Sequence, residues 1–194
     1  GSLVGILYNV QLMAIAREDG VSAYGVLMYV DFIFKAFFFG YSIAVKPVVG
    51  YHYGAQNHAE LKSILRKSLI ITVLVSLLMT GGAIVLAGPI ADLFVGYDAA
   101  LHDMTVNALR IYSVSFLVFG FNIFGSAFFT GFNDGTDSAL ISFLRTLVFQ
   151  VAAILLLPRW LDINGIWLAV TAAESLTLLV TVSLLAAKRR KYHY

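Results

Sequence analysis

Two charged residues, Asp31 and Lys35, lie in the middle of a long apolar stretch of this sequence. A spacing of four places both side chains on one face of a helix, where they can form an ion pair. A charge in the middle of a lipid bilayer costs roughly 2.5–3.5 kcal/mol on insertion scales, so its presence there needs a reason. One interpretation is a proton or cation relay, or a counter-ion for a substrate. The other is an ion pair that only stabilises the fold, and the sequence leaves both open.

A second pair of charges, Arg145 and Glu174, lies in two consecutive apolar stretches that are expected to cross in opposite directions. At 1.5 Å per residue, Arg145 lies about 10 Å and Glu174 about 20 Å from the same end of the two helices. A long arginine side chain covers much of that difference. We therefore expect an ion pair between neighbouring helices. A structural role is favoured over a cavity role, because no other polar group is expected at that depth.

The sequence has none of the patterns that indicate catalysis or metal binding. It contains no Cys, and its four His residues lie in predicted loops without the spacing of metal ligands. No zinc-protease, nucleophile-elbow or phosphate-loop motif occurs. The sequence therefore predicts no enzyme, no cofactor and no bound metal. A net charge of +2 with scattered Lys and Arg also argues against a nucleic-acid partner.

The composition indicates a membrane protein with several spans. Of the 194 residues, 60% are hydrophobic and 12% are charged, and the mean hydropathy is +0.86. Soluble domains carry about 25% charged residues, so this chain could not cover a soluble surface, and disordered chains are poor in apolar residues. A hydrocarbon core of ~30 Å takes roughly 20 helical residues to cross, so the length allows about six passes.

Six apolar segments predict an all-α membrane protein, with residues 1–194 forming one six-helix transmembrane bundle. The predicted helices span residues 3–16, 21–50, 69–87, 111–133, 138–158 and 163–187. The first segment has 14 residues, fewer than the roughly 20 of a full span, so we expect it to be a truncated helix of a longer protein.

The basic residues in the loops predict the orientation of the bundle. Seven Lys and Arg lie in one set of loops and the tail, against three in the opposite set. This asymmetry predicts that the connection 51–68, the turn 133–137 and the tail 188–194 lie in the cytoplasm. Within that connection, Asn57 and Glu60 resemble a capping box that opens a short interfacial helix.

Two ordered motifs resemble a known family. Residues 46–57 read KPVVGYHYGAQN, similar to the QP-hydrophobic-hydrophobic-GYNYGA-x-N signature of bacterial multidrug and toxic compound extrusion (MATE) transporters, especially the MepA-like branch. Residues 142–174 contain SFLR, LP, NGIW and AE, which resemble that branch's motifs in the same order. The residues that match the first motif and carry the resemblance are Pro47, Gly50, Tyr51, Tyr53, Gly54 and Ala55.

The resemblance implies the C-terminal six-helix bundle of a two-bundle secondary transporter in a bacterial cell membrane. Such a transporter exchanges cationic or amphipathic compounds for Na⁺ or H⁺ by alternating access. Its partners are then the lipid bilayer, an N-terminal bundle of the same protein, the small-molecule substrate and the ion.

The sequence departs from the family at several positions. Lys46 and His52 stand where Gln and Asn are usual. The cation-binding carboxylates of some family members do not carry over, because segment 111–133 has no acid and segment 3–16 offers only Asn9 and Gln11. The ion-coupling residue is therefore expected outside this chain, unless Asp31 takes that role.

Two other functions stay open on the sequence. Relatives in the same superfamily flip lipid-linked saccharides and line their cavity with several basic residues, whereas here only Lys35 and Arg145 are deeply placed. The other alternative is a membrane scaffold that packs against a partner and transports nothing. A complete homologous bundle encoded immediately upstream would exclude the scaffold.

Overall fold

The computed structural model describes residues 2–194, and every regular element in that range is helical. The helices are α1 (Ser2–Gly54), α2 (His58–Val85), α3 (Ala87–Val95), α4 (Ala99–Ser113), α5 (Phe116–Gly131), α6 (Gly135–Phe143), α7 (Gln150–Leu156) and α8 (Pro158–Tyr192). A π-helical segment, Leu144–Phe149, continues α6 directly into α7. The predicted all-α class is confirmed.

Two of these helices, α1 and α8, each contain a residue with non-helical backbone. Arg17 in α1 has φ 53° and ψ −141°, and Asp162 in α8 has φ 47° and ψ −133°. Positive φ is strained for residues other than glycine, at about 1 kcal/mol or more. Each break therefore ends one helix and begins the next. The break at Arg17 lies between the predicted segments 3–16 and 21–50, and the break at Asp162 lies between the predicted segments 138–158 and 163–187.

Four helical stretches are long and apolar enough to cross a membrane: Leu3–Gly54, His58–Val85, Gly135–Leu156 and Pro158–Tyr192. Helices α4 and α5 make a fifth if their 45° bend lies within one span. At this bend, which splits the segment predicted at 111–133, Ser113 donates its hydroxyl to the Leu109 carbonyl, a contact that often bends helices. The structure thus contains four or five candidate spans, the first of which is divided at Arg17.

The helices continue beyond the apolar segments that predict them. Asn57 caps α2, its Oδ1 accepting the backbone N–H of Glu60 at 3.2 Å, so the helix start predicted from these two residues is confirmed. Most of the connection predicted at 51–68 is therefore helical, and the tail predicted at 188–194 is helical as far as Tyr192. Polarity alone does not end a helix, since its backbone hydrogen bonds continue into the polar interface.

The Phe-rich helix α5 lies at the centre of the bundle, where it packs against α1, α2, α6 and α8. Its Phe116, Phe124 and Phe128 are almost fully buried. Large apolar side chains elsewhere point outward, as Phe32 and Leu78 do. An apolar outer surface around a packed interior is what a lipid environment requires. Helix α5 is thus positioned to contact the charged residues of the helices around it.

Candidate functional site

Asp31 and Lys35 form an ion pair within α1. Lys35 Nζ lies 2.8 Å from Asp31 Oδ1, and the side chains are 18% and 14% exposed for Lys35 and Asp31. The hydroxyl of Tyr112, on α4, donates to the same Asp31 oxygen at 2.8 Å. The structure therefore contains the contact that the i, i+4 spacing predicts. Tyr112 adds a donor from a second helix, so the Asp31 carboxylate links α1 to α4 through charge-assisted hydrogen bonds.

Arg145 and Glu174 face each other between the π-helical segment and α8. Arg145 Nε lies 3.9 Å from Glu174 Oε1, a long distance for an ion pair. Asn122 of α5 makes closer contacts, because its Nδ2 donates to Glu174 Oε2 at 2.7 Å and to the Glu174 carbonyl at 2.8 Å. Thr181 donates in turn to Asn122 Oδ1 at 2.9 Å. The expectation that no other polar group accompanies this pair is therefore wrong.

The two ion pairs meet at one aromatic ring. Lys35 Nζ lies 4.2 Å and Arg145 Cζ 5.4 Å from the centroid of the Phe119 ring, both within cation–π distance. Phe119 is 3% exposed, so both contacts are shielded from water. Asp31, Lys35, Arg145 and Glu174 thus form one connected group, the central charge array.

Nothing in the sequence predicts that Tyr112, Phe119 and Asn122 connect these charges. One sequence signal links two of them, because a spacing of three places Phe119 and Asn122 on the same face of α5. No local pattern shows that this face meets charges from α1 and from the π-helical segment. That juxtaposition is visible only in the packed bundle.

The central charge array combines two acids with two bases, so its formal charge is zero. Within residues 2–194, no group of three or more His, Asp or Glu is placed to hold a metal ion. A cation or a proton that binds to the array therefore competes with Lys35 or Arg145 for a carboxylate.

Gly120 sets the distance between α5 and its neighbours beside the array. A Cβ atom at this position would lie 2.6 Å from Phe38 Cδ1 and 2.9 Å from Thr72 Cγ2, closer than side-chain atoms normally approach. Glycine therefore allows α1 and α2 to pack closely against α5. The segment that carries Arg145 also differs from a regular α-helix, because it is π-helical, and π turns occur frequently at functional sites.

The motif residues lie at or just after the end of α1: Pro47, Gly50, Tyr51, Tyr53, Gly54 and Ala55. Gly50 faces α5, where a Cβ atom would lie 3.3 Å from the Gly131 carbonyl oxygen. The Tyr53 ring meets the Tyr192 ring edge-on, with 5.6 Å between their centroids. Tyr51 is exposed. Gly50 and Tyr53 thus pack α1 against α5 and α8, away from the central charge array.

Asp134, in the turn between α5 and α6, ties that turn to the end of α8. Its carboxylate accepts the Tyr192 hydroxyl and lies 3.4 Å from Lys191 Nζ. Lys188 bridges the same turn, with its Nζ 2.9 Å from Asp137 Oδ2. The hydrogen bond from Tyr192 lowers the pKa of Asp134, helped by the Asp137 N–H and the two lysines and opposed by partial burial.

A polar cavity of about 270 Å³ lies between α1, α5 and α6, next to the central charge array. Arg145 and Lys46 both line it, together with five residues that carry hydroxyl groups: Ser42, Ser126, Thr130, Ser138 and Ser142. Ser138 Oγ is 2.9 Å from Ser126 Oγ and 2.8 Å from Thr130 Oγ1. Over residues 2–194, no side-chain carboxylate lies within 4.0 Å of the Lys46 ammonium group. The cavity thus combines a cation with several hydroxyl donors.

Comparison with solved structures shows the fold. Over its whole length the chain is similar to a MOP superfamily transporter from Pyrococcus furiosus, with a TM-score of 0.90 and 20% identity, over 44% of that chain. That transporter is described as having a binding pocket of reverse polarity. Over 97% of its length the chain is also similar to a multidrug resistance MATE family transporter. The match to its outward-facing conformation has a TM-score of 0.88 and covers 44% of that chain. The match to its inward-facing conformation has a TM-score of 0.89 and covers 45% of that chain, and the sequence identity is 21% in both.

The chain therefore spans less than half the length of the transporters whose fold it shares. No curated protein sequence matches it significantly. The family model named MatE matches residues 2–155, which is most of the chain. Together with the shared fold, this match shows that the chain belongs to the MatE family.

Proposed function

We propose that this chain is the C-terminal half of an ion-gradient-driven multidrug efflux antiporter of the MepA-like branch. The complete protein would exchange a cationic or amphipathic compound for Na⁺ or H⁺ across a bacterial cell membrane, with its C-terminus in the cytoplasm. Its function would be transport, without catalysis. The missing half would be an N-terminal bundle that closes a central cavity against this one.

One observation carries this proposal. The chain matches the outward-facing and the inward-facing conformations of a MATE transporter almost equally well, with TM-scores of 0.88 and 0.89. A bundle that fits both conformations need not rearrange internally between them. This supports alternating access by rocking of one rigid bundle against another, as is common among secondary transporters.

Within the bundle, we assign the Asp31–Lys35 pair to coupling or substrate binding. Both side chains retain some exposure, and Asp31 contacts groups on two helices. We assign Arg145 and Glu174 mainly to structure, because Glu174 is 6% exposed and held by Asn122. A partly exposed carboxylate such as Asp31 can change partners, whereas a buried carboxylate such as Glu174 holds helices together.

Reconstitution tests the proposal. The full-length protein that contains this chain is inserted into proteoliposomes with a cationic dye, and a Na⁺ or H⁺ gradient is imposed. We expect dye movement driven by one of the two gradients and abolished when an ionophore collapses it. Absence of gradient-driven movement of every cationic dye tested would overturn the antiporter assignment.

The polar cavity favours a second candidate function, the flipping of lipid-linked saccharides. Lys46 and Arg145 line the same cavity as five residues with hydroxyl groups, and cations with hydroxyl donors suit phosphate and sugar groups. A strain that lacks the gene discriminates between the two functions. Accumulation of a lipid-linked saccharide intermediate would support the flippase, and normal turnover would exclude it.

A further inference from the structure

A large apolar groove lies between α2 and α8. Its volume is about 810 Å³, and its walls consist mainly of apolar side chains such as Leu69, Leu178 and Val182. Phe121 of α5 also lines it. None of the four residues of the central charge array lines this groove, so it is a separate feature of the bundle.

Three basic side chains lie at one end of this groove: Lys62 and Arg66 from α2, and Arg189 from α8. Helix α2 begins and α8 ends there, which brings the basic ends of two antiparallel helices together. Over residues 2–194, no side-chain carboxylate lies within 4.0 Å of these three charged groups. Among the described residues, no side-chain carboxylate therefore neutralises the rim of the groove, where Arg189 Nε donates to the Tyr194 carbonyl oxygen at 3.1 Å and the two cations of α2 have no acidic partner.

The basic residues next to Arg189 on α8 have different contacts. Lys188 pairs with Asp137 at 2.9 Å, and Lys191 pairs with Asp134 at 3.4 Å. These acids therefore neutralise the lysines that face the turn between α5 and α6. Arg189 lines the groove instead, and within residues 2–194 the donors of its guanidinium other than Nε have no carboxylate partner.

The length of the groove matches one leaflet of a bilayer. On α8 the lining runs from Leu178 to Arg189, about 16 Å at 1.5 Å per residue. Half of a ~30 Å hydrocarbon core is about 15 Å. A ligand that fits has an anionic head at the rim and an apolar chain that reaches towards the middle of the bilayer.

We propose that this groove binds one anionic glycerophospholipid from the leaflet at the basic end. Its phosphate would lie at Lys62, Arg66 and Arg189, and an acyl chain would pack against the apolar wall. Basic pockets between helices are established binding sites for anionic lipid head groups. Such a lipid would hold the start of α2 against the end of α8. Its binding is independent of the transport activity proposed above.

Native mass spectrometry of the full-length protein tests the proposal. The protein is incubated with phosphatidylglycerol or with phosphatidylcholine of identical acyl chains. We expect one tightly retained phosphatidylglycerol and at least tenfold weaker retention of phosphatidylcholine, because only the former carries a net negative charge. Equal retention of the two lipids would overturn the proposal.

Two matched double variants separate a site from general surface attraction. Arg66→Gln with Arg189→Gln removes one charge at the rim from each helix, and we expect at least tenfold weaker retention of phosphatidylglycerol. Lys67→Gln with Arg190→Gln removes the adjacent charge on each helix, neither of which lines the groove, and should leave retention within about twofold. Equal losses in both double variants would show diffuse attraction and contradict the site.

A third variant keeps every charge and fills the groove. Val182 is 55% exposed, so Val182→Trp places a large side chain in the groove without disturbing the core. We expect it to displace the lipid while the melting temperature in detergent stays unchanged. Undiminished retention of phosphatidylglycerol in Val182→Trp would overturn the proposal. This test remains valid even when the variant with Arg66→Gln and Arg189→Gln does not fold.

Discussion

Lys35 and Arg145 place their charged groups on the same aromatic ring, at 4.2 Å and 5.4 Å from the centroid of Phe119. The two cations come from α1 and from the π-helical segment, and each also pairs with its own acid. A change in one ion pair therefore alters the surroundings of the other. The central charge array is one connected unit that spans several helices.

Phe119→Leu keeps an apolar side chain but removes the ring that both cations contact. In the wild-type background we expect Asp31→Asn and Glu174→Gln to be non-additive, with a coupling free energy of about 0.5–2 kcal/mol. In the Phe119→Leu background this coupling should fall close to zero. Denaturant unfolding of the single and double variants of the full-length protein measures it.

The control for this prediction is Phe124→Leu, the same change at an equally buried position on the same helix. It should lower the free energy of unfolding but leave the coupling between Asp31 and Glu174 intact. Coupling that persists without the Phe119 ring would show that the two pairs communicate by another route.

The variants Asp31→Asn, Lys35→Met and their combination separate the two interpretations of the first ion pair. Breaking a buried pair costs roughly 3–5 kcal/mol, whereas removing both members is often nearly neutral. We expect lower melting temperatures for both single variants and a nearly normal one for the double variant. Because we propose a role in coupling, the well-folded double variant should still fail to transport a cationic dye. Recovery of both folding and transport would assign the pair to structure alone.

Gly120→Ala tests the close approach of α5 to α1 and α2. The added methyl group would lie 2.6 Å from Phe38 Cδ1, so we expect a loss of about 1–3 kcal/mol in the free energy of unfolding. The matched control is Gly81→Ala, where no atom lies within 4 Å of the added carbon. That variant should be neutral or slightly stabilising, since alanine favours a helix by up to about 1 kcal/mol over glycine. Equal effects at the two positions would contradict the packing argument.

Asp134 predicts an acid-dependent part of the stability. Its pKa is lowered in the folded protein, chiefly by the Tyr192 hydrogen bond, so its contribution is present above the unfolded-state pKa of about 4. That contribution is lost as the pH falls through the lower folded-state pKa. The difference in melting temperature between wild type and Asp134→Asn should therefore be constant above about pH 5 and shrink below about pH 4.

Two further variants check this pH dependence. Tyr192→Phe removes the largest cause of the lowered pKa of Asp134. In a protein that carries Tyr192→Phe, adding Asp134→Asn should therefore change the stability less than it does in wild type, but the change should not vanish. Glu18→Gln changes an exposed acid and should leave the acid-dependent difference unchanged. A stability difference between wild type and Asp134→Asn that stays the same from pH 7 to pH 3 would contradict the prediction.

Local patterns in the sequence determined several parts of this structure. The apolar segments predict the helices, the i, i+4 spacing predicts the contact between Asp31 and Lys35, and Asn57 with Glu60 predicts the start of α2. Each of these features depends on residues within one or two helical turns. Backbone hydrogen bonds and side-chain spacing along a single helix are therefore enough to specify them.

The connections between helices were decided by the tertiary structure. Glu174 has the predicted Arg145 nearby, but its closest side-chain donor is Asn122, and the Phe119 ring links this pair to Lys35. Which face of α5 meets which neighbour depends on the rotation and separation of packed helices. Contacts such as that of Gly120 with Phe38 set these quantities, and they join residues far apart in the chain. The charge array and the groove between α2 and α8 therefore exist only once the bundle is packed.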